Sequence, residues 1–333
     1  MSKRVLLTGA MGFVGSHMLH RLLESTDYDI VCPVTLRHHG NSDRITHLLL
    51  ENPQWRQRVT TFLCDLACPI PATAPIGRID YILNIASESH VDRSITDPVP
   101  FVRNNVELIL NVLEYAREAR PELILHMGTD EEYGPAYGDY KHIEWDTVIP
   151  SNPYSASKAA QSALAIAYWR TYGLPVALTR TMNLIGPSQS PEKFVPMAIR
   201  KILAGETLTV HASPEGVPGS RHWIDARDFA DAWLYLMNRP ASRYPDGTEP
   251  DMWHIVGEER SNLEIAQLLA GILGKPLKYE LVSFHASRPG HDLRYALDGT
   301  KLAQAGWKPS RSLEDTLADI VDWYVDQPVW LAA

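Results

Sequence analysis

Arg4-Val-Leu-Leu-Thr8-Gly9-Ala-Met-Gly12-Phe-Val-Gly15-Ser-His17 is the stretch whose reading decides the fold. Its apolar start reads as a buried strand. The residues after it put Met18, Leu19, Leu22 and Leu23 on one face of a helix. Between the two, glycines recur every third residue. Glycine there lets the backbone turn tightly, approach a pyrophosphate and pack the helix against the strand, with the helix N-terminus facing the anion. In strand–turn–helix context, Gly9, Gly12 and Gly15, with Phe13 and Val14 in the first helical turn, form a dinucleotide-binding fingerprint.

Outward from this turn the same rhythm repeats. Tyr28–Val34, Val59–Leu63, Ile79–Ile85, Leu123–Met127 and Pro175–Arg180 read as further strands, and Pro98–Glu118 and Pro153–Tyr172 as long helices. Strands alternating with helices at this spacing imply an α/β fold, a Rossmann-type doubly wound parallel sheet. Asp65, followed by Leu66, is placed to meet an adenine amino group. Ala86 opens a polar segment, Ala86–Ser94, that lines the cofactor cleft. After residue 180 the rhythm loosens into short strands (Leu208–His211, Met252–Val256) and helices (225–236, 262–273, 313–324). The expected division is therefore a dinucleotide-binding domain over 1–180 and a smaller α/β substrate lobe over 181–333, interleaved with the sheet.

Two features carry chemistry. Gly128-Thr-Asp130-Glu131-Glu-Tyr-Gly134 follows an apolar strand, so two adjacent carboxylates sit at a strand tip facing a cleft. Such a place suits one acid and one base with separated pKa values. Tyr154-Ser-Ala-Ser-Lys158 puts a tyrosine and a lysine one helical turn apart, on one face.

Composition narrows the partners. With 45% hydrophobic and 21% charged residues, the chain is ordinary for a soluble enzyme. A net charge of -9 argues against nucleic acid or an anionic membrane. Cys32, Cys64 and Cys68 are too few for a disulfide framework, and no run is long enough for a membrane span, so a cytoplasmic protein is expected. The 13 histidines show no metal-ligand spacing.

Together these motifs resemble the extended short-chain dehydrogenase/reductase family, and within it the nucleotide-sugar 4,6-dehydratases, particularly the dTDP-glucose 4,6-dehydratase family. The general part is the glycine turn with Tyr154–Lys158. The specific parts are Ser87-Glu-Ser-His-Val-Asp-Arg-Ser-Ile95, Thr129-Asp-Glu131, Pro191-Glu-Lys-Phe-Val-Pro196 and Arg288-Pro-Gly-His-Asp-Leu-Arg-Tyr295. The resemblance implies an oxidation, an elimination and a reduction on one bound sugar, with a tightly held, recycled NAD(P). By this likeness Tyr154 takes the C4 hydroxyl proton, helped by Thr129 and by the charge of Lys158; Glu131 takes the C5 proton; Asp130 protonates the departing C6 hydroxyl. It also implies a nucleotide-sugar site using Arg221 and Arg288, with Asn183 and Lys193, and Ser89, His90 and His291 from the matched motifs. A homodimer through the helices near 98–118 and 153–172 is implied as well.

Three departures stand out. Leu184 takes the place of a second asparagine after Asn183, the loop Ala212–Arg221 differs from the family's shorter one, and Glu132 replaces an apolar residue. That third carboxylate would raise a neighbour's pKa or point to solvent. The cofactor also departs. An NAD-binding unit usually ends its second strand on an acidic residue, and here Val34 stands there, with Arg37, His38 and Arg44 downstream. The segment Asn41–Ile45 resembles the NADP-binding loop of GDP-mannose 4,6-dehydratases, so the expectation leans to NADP. Two rival readings remain: a nucleotide-sugar 4-epimerase, which needs no acid–base pair for elimination, and a non-catalytic NAD(P)-binding regulatory protein.

Overall fold

The computed structural model describes residues 2–35, 40–283 and 292–332. Its strands in chain order are β1 (Arg4–Thr8), β2 (Asp29–Val34), β3 (Val59–Leu63), β4 (Tyr81–Asn84), β5 (Leu123–Thr129), β6 (Val176–Thr181), β7 (Asn183–Ile185), β8 (Leu208–Ala212), β9 (Ser220–Asp225), β10 (Asp251–Ile255), β11 (Glu258–Ser261) and β12 (Tyr279–Ser283). The helices used below are α1 (Phe13–Ser25), α2 (Asp43–Glu51), α3 (Val91–Thr96), α4 (Pro98–Ala119), α5 (Pro153–Tyr172), α6 (Phe194–Ala204), α7 (Ala226–Met237) and α8 (Asn262–Leu273).

Seven strands form one parallel sheet in the order β10-β6-β5-β4-β1-β2-β3. Strand alternation sends Val5 and Leu7 to one face and Leu6 to the other. The first face packs α1 and α7, through Met18, Leu22, Phe229 and Trp233. The second packs α4 and α5, through Ile109, Leu113, Ala165 and Trp169. A sheet covered on both sides needs strands apolar on both sides, and β6 is buried at every residue.

A third core lies outside the sheet, where α6, α8 and the helix Leu313–Asp326 close over Trp223 and Leu208. Two small sheets accompany it: β11-β9-β7 and β12-β8. The doubly wound expectation therefore holds, and β10, from the second half of the chain, supplies the sheet's edge beside β6. Strand order reverses between β1 and β4, which opens a crevice at their carboxyl ends, where open α/β sheets bind ligands.

Candidate active site

The crevice is a cleft of about 310 Å³ floored by Gly9–Gly15. Gly9 has a φ of +75°, and a Cβ on it would sit 3.0 Å from the Ala86 nitrogen. A Cβ on Gly15 would lie 2.0 Å from the Gly9 carbonyl oxygen, so only glycine lets α1 approach β1 this closely. Gly12 is the N-cap of α1, and among the described residues no side chain caps that end, which leaves the first-turn amides to an anion. Phe13, Val14, Arg44, Asp65, Leu66 and Ala86 line the same cleft. These residues fit a nicotinamide dinucleotide.

Arg44 does something other than expected. Its guanidinium is largely buried and donates to the Met11 carbonyl (2.8 Å) and the Ser188 carbonyl (2.9 and 3.2 Å), and it lies over the Trp330 ring at 5.3 Å. It joins three distant segments around the cleft. Arg37 and His38 lie outside the described residues.

At the far end of the cleft β5 turns into a single 3-10 turn, Asp130–Glu132. The Thr129 hydroxyl donates to Asp130 Oδ1 at 3.0 Å, and the Glu131 amide donates to that same oxygen at 3.0 Å. Burial, and then the Glu131 carboxylate, push Asp130 up to about 7. Glu131 is raised too, chiefly by burial; an Asn152 Nδ2–H donated to its Oε2 at 3.3 Å opposes this, as do the charges of Arg221 and Lys193. Asn152 escaped the sequence reading, although an Asn before Pro153 is a signal for a helix N-cap, which it also is.

Glu132 does not reach solvent. It is fully buried, its Oε1 accepts the Thr129 amide at 3.0 Å, and its Oε2 accepts the Nε–H of Arg180 on β6 at 2.9 Å, with Nη2 of the same guanidinium ion-paired at 2.9 Å.

Tyr154 and Lys158 stand on α5 beside this turn, both in the cleft wall. The Tyr154 amide donates to Ser94 Oγ at 3.0 Å, which fixes the helix start. Burial and the Glu131 charge raise the Tyr154 phenol well above its usual range, and the Thr129 hydroxyl draws it back. Lys158 Nζ donates to the Met127 carbonyl at 2.6 Å and to Gln161 Oε1 at 2.8 Å. Burial lowers its pKa to about 8, against the pull of Glu132. A buried polar chain beneath these groups was also missed: the Thr8 hydroxyl donates to Asn84 Oδ1 (2.9 Å), and Asn84 Nδ2 meets His126 Nδ1 (3.0 Å).

Toward the second half of the chain, Lys193 Nζ donates to the Ser89 carbonyl at 3.3 Å, and His90 Nε2 lies 3.7 Å from Glu192 Oε2. Arg221 donates to the Leu293 and Asp292 carbonyls (2.8 and 2.7 Å) and lies 4.6 Å from the centre of the Tyr295 ring, within electrostatic reach of Asp130 and Glu131. Asn183 opens β7 opposite Trp223. Arg288 and His291 lie outside the described residues. The structure thus brings Thr129, Asp130, Glu131, Tyr154 and Lys158 around one end of the cleft, with Ser89, His90, Lys193 and Arg221 beside them.

This arrangement has close relatives. The low-salt glycan biosynthesis protein Agl12 of Haloferax volcanii is 36% identical over 96% of this chain and 98% of its own length. The dTDP-glucose 4,6-dehydratase of Neisseria meningitidis serogroup B is 32% identical over 98% of this chain and 95% of its own. Among solved structures, DesIV, a dTDP-glucose 4,6-dehydratase of Streptomyces venezuelae crystallised with NAD and TYD, superposes with a TM-score of 0.85 at 32% identity, covering 98% of both chains. A profile of the NAD dependent epimerase/dehydratase family matches residues 5–248. The chain belongs to the NAD dependent epimerase/dehydratase family.

Proposed function

We propose that this chain is a nucleotide-sugar 4,6-dehydratase that converts dTDP-glucose to its 4-keto-6-deoxy product. The observation that carries the reading is geometric: Asp130 and Glu131 share one buried turn whose Thr129 lines the cleft with Tyr154 and Lys158, and burial raises Asp130 to about 7, so that part of it keeps its proton near neutrality. A 4-epimerase needs a base at the C4 oxygen but no such acid. The names of the relatives at 32% identity support the same choice.

A nicotinamide dinucleotide held over Gly9–Gly15 would supply a hydride acceptor for C4 and a donor for C6, and the proton that Glu131 takes from C5 goes back to C5 in that last step. The chain's own residues move the protons. Tyr154 Oη accepts the C4 hydroxyl proton, with Thr129 Oγ1 beside it to support the phenolate. The C4 ketone acidifies the C5 proton, which Glu131 takes. Asp130 gives its proton to the C6 hydroxyl, which leaves as water. Burial serves both carboxyls, because it makes Glu131 a stronger base and keeps the proton on Asp130. Lys193 and Arg221 supply positive charge on the substrate side for a diphosphate. Arg288, His291, Asn183, Ser89 and His90 complete this reading of the substrate lobe, residues 181–333 with the loop before α3.

The same reading chooses NAD. Arg44, which the sequence assigned to a 2′-phosphate, is committed to two backbone carbonyls, and DesIV carries NAD. It extends to a homodimer through α4 and α5, where Val99 and Tyr172 are exposed, and to the cytoplasm, where its free cysteines stay reduced.

The test is dTDP-glucose deuterated at C4. The expected product is the 4-keto-6-deoxy sugar with the label at C6 of the same molecule. A C4 epimer, or label lost entirely to solvent, would overturn the proposal.

A further inference from the structure

Among the buried charges beside the cleft, Glu132 has no step in the mechanism above. It is completely buried, as is nearly all of Arg180. A buried ion pair is a poor source of net stability, since apolar side chains of similar volume often do as well or better. The pair therefore calls for another role, and its geometry supplies one. Glu132 folds back over the end of its own strand, so that Oε1 holds the Thr129 amide at 3.0 Å. Thr129 in turn holds Asp130 Oδ1, and that oxygen holds the Glu131 amide. Arg180 sits opposite Gly128 in the β5–β6 register, donates its Nε–H to Glu132 Oε2 at 2.9 Å and holds Nη2 at 2.9 Å from the same oxygen as an ion pair. Its Nη1 donates to the Glu144 carbonyl at 3.1 Å, and its guanidinium stacks 4.2 Å from the Tyr133 ring centre. The carboxylate also occupies the space a side chain at residue 128 would need: a Cβ on Gly128 would lie 2.5 Å from Glu132 Oε1.

We propose that Glu132, gripped by Arg180, is a positioning residue for the elimination step, fixing the turn from which Asp130 and Glu131 reach the substrate. This rests on the dehydratase reading. A turn held at one end by β5 and at the other by a bidentate fork cannot rock, and the two carboxyls keep one spacing to the sugar. Misplacing a reacting group by about 1 Å can cost on the order of a hundredfold in rate. The oxidation step depends on Tyr154, whose backbone α5 positions through Ser94, so the fork reaches it only through Thr129 and the Glu132 charge and oxidation should suffer less than elimination.

The experiment uses the holoenzyme with dTDP-glucose, comparing wild type with Glu132→Gln and with Glu132→Val/Arg180→Met, in which the ion pair becomes an apolar pair that preserves folding. The double variant should fold but melt lower than wild type, because the Thr129 amide loses its partner and the Glu144 carbonyl its Arg180 donor. At a temperature where it is folded it should lose at least about tenfold in kcat, with KM within about threefold. Reduced nicotinamide should build up before the first turnover, because elimination is slowed more than oxidation. Wild-type kcat in the folded double variant would overturn the inference, as would a slow variant without that build-up. Failure of both variants to fold would overturn it too, by making the pair purely structural. Absence of product from the wild-type enzyme would instead defeat the dehydratase reading itself.

Discussion

Burial strips the Asp130 carboxylate of water and Glu131 sets a second negative charge beside it, and together they raise its pKa to about 7. That has a cost in stability whose pH dependence can be worked out. The folded pKa, about 7, lies above the ordinary 3.8, so the unfolded chain releases this proton first as pH rises. The penalty is absent below the ordinary value, grows between there and about 7, and is complete above. Asp130→Asn keeps an oxygen for the Thr129 hydroxyl and the Glu131 amide but has no charge to desolvate. At about pH 8 the variant should be more stable than wild type, by up to about 4 kcal/mol for a pKa raised from 3.8 to about 7, while losing turnover. At about pH 4 the gap should close; calorimetry at the two pH values decides, and an equal gap at both would refute it. The neighbours divide by step. Tyr154→Phe should suppress oxidation, so no reduced nicotinamide forms. Glu131→Gln should leave substrate binding intact and stall elimination, read by single-turnover absorbance; full turnover in Glu131→Gln would remove it as the base.

At the scale of elements, the cleft exists because α1 comes unusually close to β1. Gly15→Ala puts a methyl 2.0 Å from the Gly9 carbonyl, so α1 must back away and its first-turn amides with it. The purified variant should carry much less nicotinamide per chain than wild type, measured by mass spectrometry after denaturation; equal loading would refute the close-approach argument. This element was legible in sequence because its signal is local: a strand, three glycines and an amphipathic helix within twenty-five residues. The same holds for α5, read from Pro153 to Tyr172, and for β3, both found at the residues expected. The short elements were not legible. β12 is exposed at most of its residues, and β7 is too brief to show a period. α2 lies in a stretch read as loop. At the site, motif residues could be read in advance, but the fates of Glu132 and Arg44 could not. Their partners, Arg180 and Ser188, are distant in sequence and meet them only through the fold.

At the scale of the whole molecule, Arg44 closes the cleft by tying the glycine turn to a loop of the second half and to Trp330 near the end of the chain. Arg44→Ala should turn a cofactor retained through gel filtration into one that exchanges with added NAD. Mass spectrometry of the bound fraction should still find NAD rather than NADP; a switch in nucleotide preference would restore Arg44 as a phosphate ligand. Domain boundaries drawn by function also differ from those drawn by assembly. β6 is complete at Thr181, but the strand that covers its outer edge, β10, ends only at Ile255. During synthesis the ribosome must add roughly 70 residues between them, several seconds at ~5–20 residues per second. Throughout that interval a strand destined to be buried at every residue presents an unpaired row of amides and carbonyls to its neighbours. A nascent chain of this protein is therefore most open to mispairing after its cofactor-binding motifs have all emerged, and chaperone demand should fall once β10 docks.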